Sequence, residues 1–126
     1  MARLIAIGDV HGQITLLRSL LAALGVVGED KLVFLGDLID RGEDSRATLE
    51  HVISLCHGSS RVVVLRGNHE QMLLDAVDDV YGDAAAHWLH VGGAKTMRDY
   101  DGEVPEGHVE FLRALPLWHR NGRFVF

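Results

Sequence analysis

Residues 3–12, RLIAIGDVHG, set a short apolar run directly against a Gly-Asp turn. Such a run reads as a buried strand whose far end carries the polar residues. Moving outward, the pattern returns at residues 31–42, KLVFLGDLIDRG, and in altered form at residues 61–70, RVVVLRGNHE. Between the first two runs, Ile14, Leu17, Leu20, Leu21 and Leu24 recur at helical spacing, and Gly25 supplies a C-terminal stop. Between the second and third, Leu49, Val52, Ile53 and Cys56 share one helical face, closed by Gly58. Residues 70–80, EQMLLDAVDDV, form a further helical stretch. Strands and helices alternating at intervals of roughly 30 residues predict βαβ units and a parallel sheet. In such sheets ligands bind beyond the carboxyl ends of the strands. The topology therefore gathers Asp9, Asp37 and Asn68 into one neighbourhood.

Beyond the third motif, residues 84–91 and 94–100 read as short helices separated by Gly92-Gly93, a cap over the cleft, and residues 109–115 as one more helix ended by Pro116. Asn121-Gly122, between two apolar stretches, predicts a hairpin with a type I′ turn. The length of 126 residues suits one domain with a real core, and 48% apolar against 24% charged residues is ordinary globular composition. Of the 14 glycines, Gly8, Gly12, Gly36, Gly42 and Gly67 fall inside the three strand-end motifs, so the excess is local. A net charge of −6 without a basic run argues against nucleic-acid binding. The single cysteine, Cys56, makes no internal disulfide, and no segment suits a signal peptide or a bilayer span, so a cytoplasmic location is expected.

The three motifs carry the chemistry. Asp9 and His11 stand two residues apart, and a carboxylate with an imidazole suits Mn, Fe or Zn better than Ca or Mg. The second motif packs Asp37, Asp40 and Arg41 into five positions, and the third offers Asn68 and His69. Each alone is ordinary turn chemistry. The remaining histidines (His51, His57, His87, His90, His108 and His119) read as surface or packing, and Asp75, Asp78 and Asp79 as a solvated helix face. Trp88 and Trp118 read as packing, with a cleft-facing Trp88 left open.

In order and together, Gly8-Asp9-Val10-His11-Gly12, Gly36–Gly42 and Gly67-Asn68-His69-Glu70 resemble the GDxHG, GDxxDRG and GNHE signature of the phosphoprotein phosphatase branch of calcineurin-like metallophosphoesterases. Residues 66–72, RGNHEQM, with Trp88 and Gly92-Gly93, are most similar to bacterial serine/threonine protein phosphatases. The resemblance implies an α/β fold of the metallophosphatase type, a β-sandwich flanked by helices. Residues 1–126 would supply its N-terminal βαβαβ half, a helical cap and the start of the second sheet. It implies two divalent metal ions, manganese by the bacterial resemblance, with iron or zinc open. Asp9 and His11 would bind the first ion, Asp37 would bridge both, and Asn68 would bind the second and touch phosphate. His69 would protonate the leaving oxygen, Asp40 would orient its imidazole, and Arg41 would clamp phosphate oxygens.

The implied activity is hydrolysis of phosphate monoesters by metal-activated water, on a phosphorylated protein or a small phosphoester. Symmetrical dinucleoside-polyphosphate hydrolysis on the same scaffold is the alternative, weighed lower because of Glu70 and Asp40-Arg41-Gly42. Gln13 and Glu43 depart from residues frequent in bacterial relatives without touching a metal in this arrangement. The resemblance also implies two further metal-binding histidines and a second arginine beyond Phe126. An incomplete domain with an exposed apolar face is therefore expected, and an inactive metal-binding fragment stays open, as does the oligomeric state.

Overall fold

The computed structural model describes residues 1–126. Strands β1 (Leu4–Ile7), β2 (Lys31–Phe34) and β3 (Val62–Val64) pair in parallel in the order β1-β2-β3. Ile7 lies opposite Phe34, and Phe34 opposite Val64, so all three strands finish at one level. Parallel neighbours need a crossover, and helices α1 (Ile14–Leu24) and α2 (Ser45–Gly58) provide the two required. Only the middle strand has the fully buried character that the apolar runs suggest. Leu32, Val33 and Phe34 are buried, whereas Ala6 of the edge strand β1 is exposed.

Helix α1 buries Ile14 and Leu17 and ends at Gly25, whose left-handed φ of 56° makes the C-terminal cap. Arg3 closes the same end: its guanidinium donates to the carbonyls of Leu24 (2.9 Å) and Gly25 (3.1 Å) while pairing with buried Asp30. Helix α2 begins one turn earlier than its apolar face, because the Asp44 side chain accepts the N–H of Ala47 at 2.9 Å and caps it. Helix α3 (Asn68–Asp78) also starts early, with Gly67 at its N-cap. The third motif thus forms the first helical turn itself, not the turn preceding a helix at residue 70.

The cap breaks where the sequence suggests, at Gly92. Helix α4 (Asp83–Trp88) and helix α5 (Ala94–Asp99) are joined by Leu89–Gly93, where the chain kinks. Gly92, with φ 131°, absorbs the irregularity. Helix α6 (Glu106–Arg113) packs on α3, as does α4, and α5 packs on α2. Strands β4 (Arg120–Asn121) and β5 (Phe124–Val125) form the expected hairpin with a different turn. Asn121 pairs with Phe124, leaving Gly122-Arg123 as the loop, and only Gly122 has positive φ (62°). Type I′ needs positive φ at both central residues, so the pattern is that of type II′. Leu117, Trp118, Phe124 and Val125 stand exposed along this tail. No helix is long and apolar enough to cross a membrane.

The core reaches into the second motif. Leu38 and Ile39 have no solvent exposure and pack in one cluster with Phe34, Leu49 and Leu73. Burying each contributes roughly 1.5–3 kcal/mol, which anchors the loop between its polar residues. At Gly42 this loop meets the first, and a Cβ there would run into the carbonyl oxygen of His11. Gly42→Ala is therefore expected to lower the unfolding free energy by about 3 kcal/mol in urea denaturation. Gly28→Ala, where a Cβ meets nothing within 4 Å, should change it by less than about 0.5 kcal/mol.

Candidate metal centre at the strand ends

Three loops leave the carboxyl ends of β1, β2 and β3 and are laced to one another through their backbones. His11 N–H donates to the Asp37 carbonyl (2.9 Å), Gly12 N–H to that of Leu38 (2.7 Å), and Asp44 N–H to that of Gly12 (2.9 Å). The third loop is tied to the second by one side chain. The fully buried Glu70 carboxylate accepts N–H bonds from Asp37 (2.6 Å), Leu38 (2.9 Å) and Gly67 (2.9 Å). His69 N–H adds a bond to Asp37 Oδ1 at 3.0 Å. Under this bracing, non-glycine residues adopt left-handed φ: Asp9 (37°), His11 (43°), Asp37 (52°), Asp40 (77°) and Arg41 (72°). Such conformations are uncommon outside glycine and persist where surroundings over-determine them.

Hydrogen bonds also fix the imidazoles. His11 Nδ1 lies 2.8 Å from the Ile39 carbonyl, which can only accept, so Nδ1 carries a proton and Nε2 is the nitrogen that holds the lone pair in the neutral ring. His69 Nδ1 lies 2.6 Å from Asp40 Oδ2, which leaves its Nε2 as the other polar edge. The two rings meet edge to face, with centroids 4.7 Å apart. Donor atoms of His11, Asp37 and His69 all lie within 4.8 Å of one another. With its amide nitrogen turned to Asp37, Asn68 donates to both carboxylate oxygens, at 2.9 and 3.1 Å. In the opposite orientation oxygen faces oxygen, an arrangement that a cation between them would stabilise. Imidazole nitrogens with carboxylate and amide oxygens form a donor set suited to a divalent transition metal.

The sequence-derived ligand set is Asp9, His11, Asp37 and Asn68, and three of these converge here. Asp9, exposed at the end of β1, stands outside the close group. His69, expected to act on protons, stands inside it. Asp40 is buried behind His69, with Oδ2 2.6 Å from the imidazole Nδ1. Arg41 is exposed, and its Nε donates to the Val91 carbonyl at 3.1 Å, while its terminal nitrogens make no hydrogen bond within the chain. Sequence reasoning missed Glu70 as the brace between loops, and it missed Ser45, Trp88 and Thr96 as partners of Asp40. Trp88 beside Gly92-Gly93 was the available signal; nothing local marks Ser45 or Thr96.

Burial pushes the Glu70 carboxyl above its ordinary value of 4.5; the three backbone N–H bonds oppose the shift, and the Asp37 charge adds to it. A carboxyl whose folded pKa exceeds its unfolded one favours folding most below the unfolded value, and that contribution is lost as pH rises through the folded value. Glu70→Gln replaces one acceptor with a donor aimed at a backbone N–H. It should destabilise the chain by about 2 kcal/mol. The difference between wild type and variant should shrink as pH rises from 4.5 upward, measured by urea denaturation across a pH series.

Residues 2–126 match the family model described as calcineurin-like phosphoesterase. A symmetrical bis(5'-nucleosyl)-tetraphosphatase of Ralstonia nicotianae is 42% identical over 100 residues, which cover 67% of this chain and 34% of that one. The catalytic subunit of serine/threonine-protein phosphatase 6 of Drosophila melanogaster is 33% identical over 89 residues, covering 70% of this chain and 29% of that one. A crystal structure of a metallophosphoesterase from Sphaerobacter thermophilus superposes with a TM-score of 0.70 at 22% identity, over 97% of this chain and 44% of that one. This chain spans about a third of the two curated relatives and under half of the solved structure, whose parallel sheet and helices it shares.

Proposed function

The chain belongs to the calcineurin-like phosphoesterase family, and from that premise we propose that it hydrolyses phosphate esters and anhydrides with divalent cations, a symmetrical dinucleoside tetraphosphate foremost. The convergence of His11, Asp37 and His69 at the strand ends carries this reading. His11 Nε2, the Asp37 carboxylate, the Asn68 amide oxygen and the Asp9 carboxylate are the residues that would hold the cations. When bound, such ions neutralise phosphoryl oxygens and acidify water. The terminal nitrogens of Arg41 bind the phosphate in a fork. His69 Nε2 gives its proton to the departing oxygen, while Asp40 Oδ2 holds Nδ1–H and stabilises the charged ring. Residues 1–126 act as the N-terminal part of a phosphoesterase domain, and manganese is the ion proposed.

The motifs alone rank a phosphoprotein substrate first. The relatives favour the opposite order, since the more similar of the two enzymes is named a tetraphosphatase. Phosphoserine or phosphothreonine hydrolysis stays as the second reading, supported by Arg41 and Glu70 within the second and third motifs.

The test supplies the purified chain with Mn²⁺ and, separately, diadenosine tetraphosphate, a phosphoserine peptide and 4-nitrophenyl phosphate. Release of two nucleoside diphosphates from the first supports the lead reading. Turnover of the peptide alone supports the second, and turnover of none counts against both. His69→Asn should lower turnover by about 10²–10⁴-fold while keeping the Mn²⁺-induced rise in melting temperature. Asp37→Asn should lose both. Loss of the thermal shift in His69→Asn as well would make His69 a ligand instead of the acid.

A further inference from the structure

The Asp40 carboxylate has no exposure and is held from two sides. From the third loop comes His69, with Nδ1 at 2.6 Å from Oδ2. From the cap come Trp88, whose indole N–H donates to Oδ2 at 2.8 Å, and Thr96, whose hydroxyl donates to Oδ1 at 2.6 Å. The Asp40 backbone N–H goes to the Ser45 hydroxyl at 2.9 Å and approaches Thr96 Oγ1 at 3.1 Å. Trp88 is the last residue of α4 and Thr96 lies in α5, both buried, with the kink at Gly92 between them.

That kink is shaped around these contacts. A Cβ on Gly93 would enter the Trp88 indole, so glycine lets the ring lie against the kink. A Cβ on Gly92 would stand 2.7 Å from Arg41 Cγ, and Val91 lends its carbonyl to Arg41 Nε at 3.1 Å. One kink therefore seats Trp88, Thr96 and Arg41 together.

The terminal torsion of an aspartate is broad and nearly two-fold. With His69 as its only partner, the Asp40 carboxylate would be free to swing and the imidazole to follow. A donor on each oxygen removes that freedom. Burying an indole N–H and a hydroxyl without partners would itself be costly, so the cap gains from the same bonds.

We propose that Trp88 and Thr96 are positioning residues that lock Asp40, and through it aim His69 Nε2 at the reacting phosphate. The catalytic meaning rests on the reading of His69 as proton donor; the positioning is measurable without turnover. In the ¹⁵N-labelled chain, exchange of the His69 Nδ1 proton with water reports how firmly Asp40 holds it. Thr96→Val and Trp88→Phe should each speed that exchange about tenfold, and Thr96→Ser should restore it. Asp40→Asn should move the Trp88 indole N–H resonance. Unchanged exchange in folded Thr96→Val or Trp88→Phe overturns the proposal, as does an indole resonance indifferent to Asp40→Asn.

A second readout compares phenyl phosphate with 4-nitrophenyl phosphate, since a poorer leaving group depends more on the donated proton. With KM unchanged, kcat of Trp88→Phe and Thr96→Val should fall several-fold further on phenyl phosphate. Equal losses on both substrates would overturn the role in proton donation. If the wild-type chain turns over neither aryl phosphate, the exchange and indole measurements alone decide this inference, and the proposed function falls only if diadenosine tetraphosphate and the phosphoserine peptide are left intact as well.

Discussion

The buried carboxylate of Glu70 ties the loop after β3 to the loop after β2. Its two oxygens accept three backbone N–H groups from two loops, so residues 37, 38 and 67 are placed relative to one another by a single side chain. The alternative would leave the buried Leu38 N–H without an acceptor, at a cost of about 1–3 kcal/mol, and the part-buried N–H groups of Asp37 and Gly67 without theirs. The carboxylate itself is desolvated in the process, which is why its proton affinity rises. The left-handed residues Asp9, His11, Asp37, Asp40 and Arg41 are tolerated in loops braced this way. Bracing and strain describe one construction: loops tight enough to aim polar side chains at a common point need ties that do not depend on solvent.

Around this brace the tasks divide cleanly between elements. The sheet sets the level at which the loops emerge, because β1, β2 and β3 end together. Leu38 and Ile39 sink the second loop into the core, so its polar residues project from a fixed base. The helical cap reaches the site through Asp40 from behind and through Arg41 from above.

Much of this was legible in the sequence, for reasons that are local. A buried central strand such as β2 announces itself as an apolar run, and α1 carries both its period and its αL glycine. The site motifs were legible because each lies at a strand end, where a parallel sheet puts its ligands. What escaped depends on contacts across the chain. Thr96 is 56 residues from Asp40 and Trp88 is 48, and neither separation leaves a trace in local pattern. Glu70 was read as part of a motif, yet two of its three partners are backbone groups more than 30 residues away. The start of α3 was misjudged for a related reason: Asn68 and His69 are recognised by their side chains, while their helical backbone follows from Gly67. The hairpin turn escaped because pairing register, not the dipeptide, decides which two residues sit in the loop.

Ile39 shows how closely stability and chemistry are joined here. Its side chain is sealed in the core, and its carbonyl oxygen sets the tautomer of His11. A substitution that merely repacks the interior at this position would tilt that carbonyl and, with it, a candidate metal-binding nitrogen. Random mutation therefore has little neutral ground at residue 39. Variants that keep the fold by shifting the backbone would still be selected against through the imidazole, and the range of acceptable residues would be narrower than burial alone dictates.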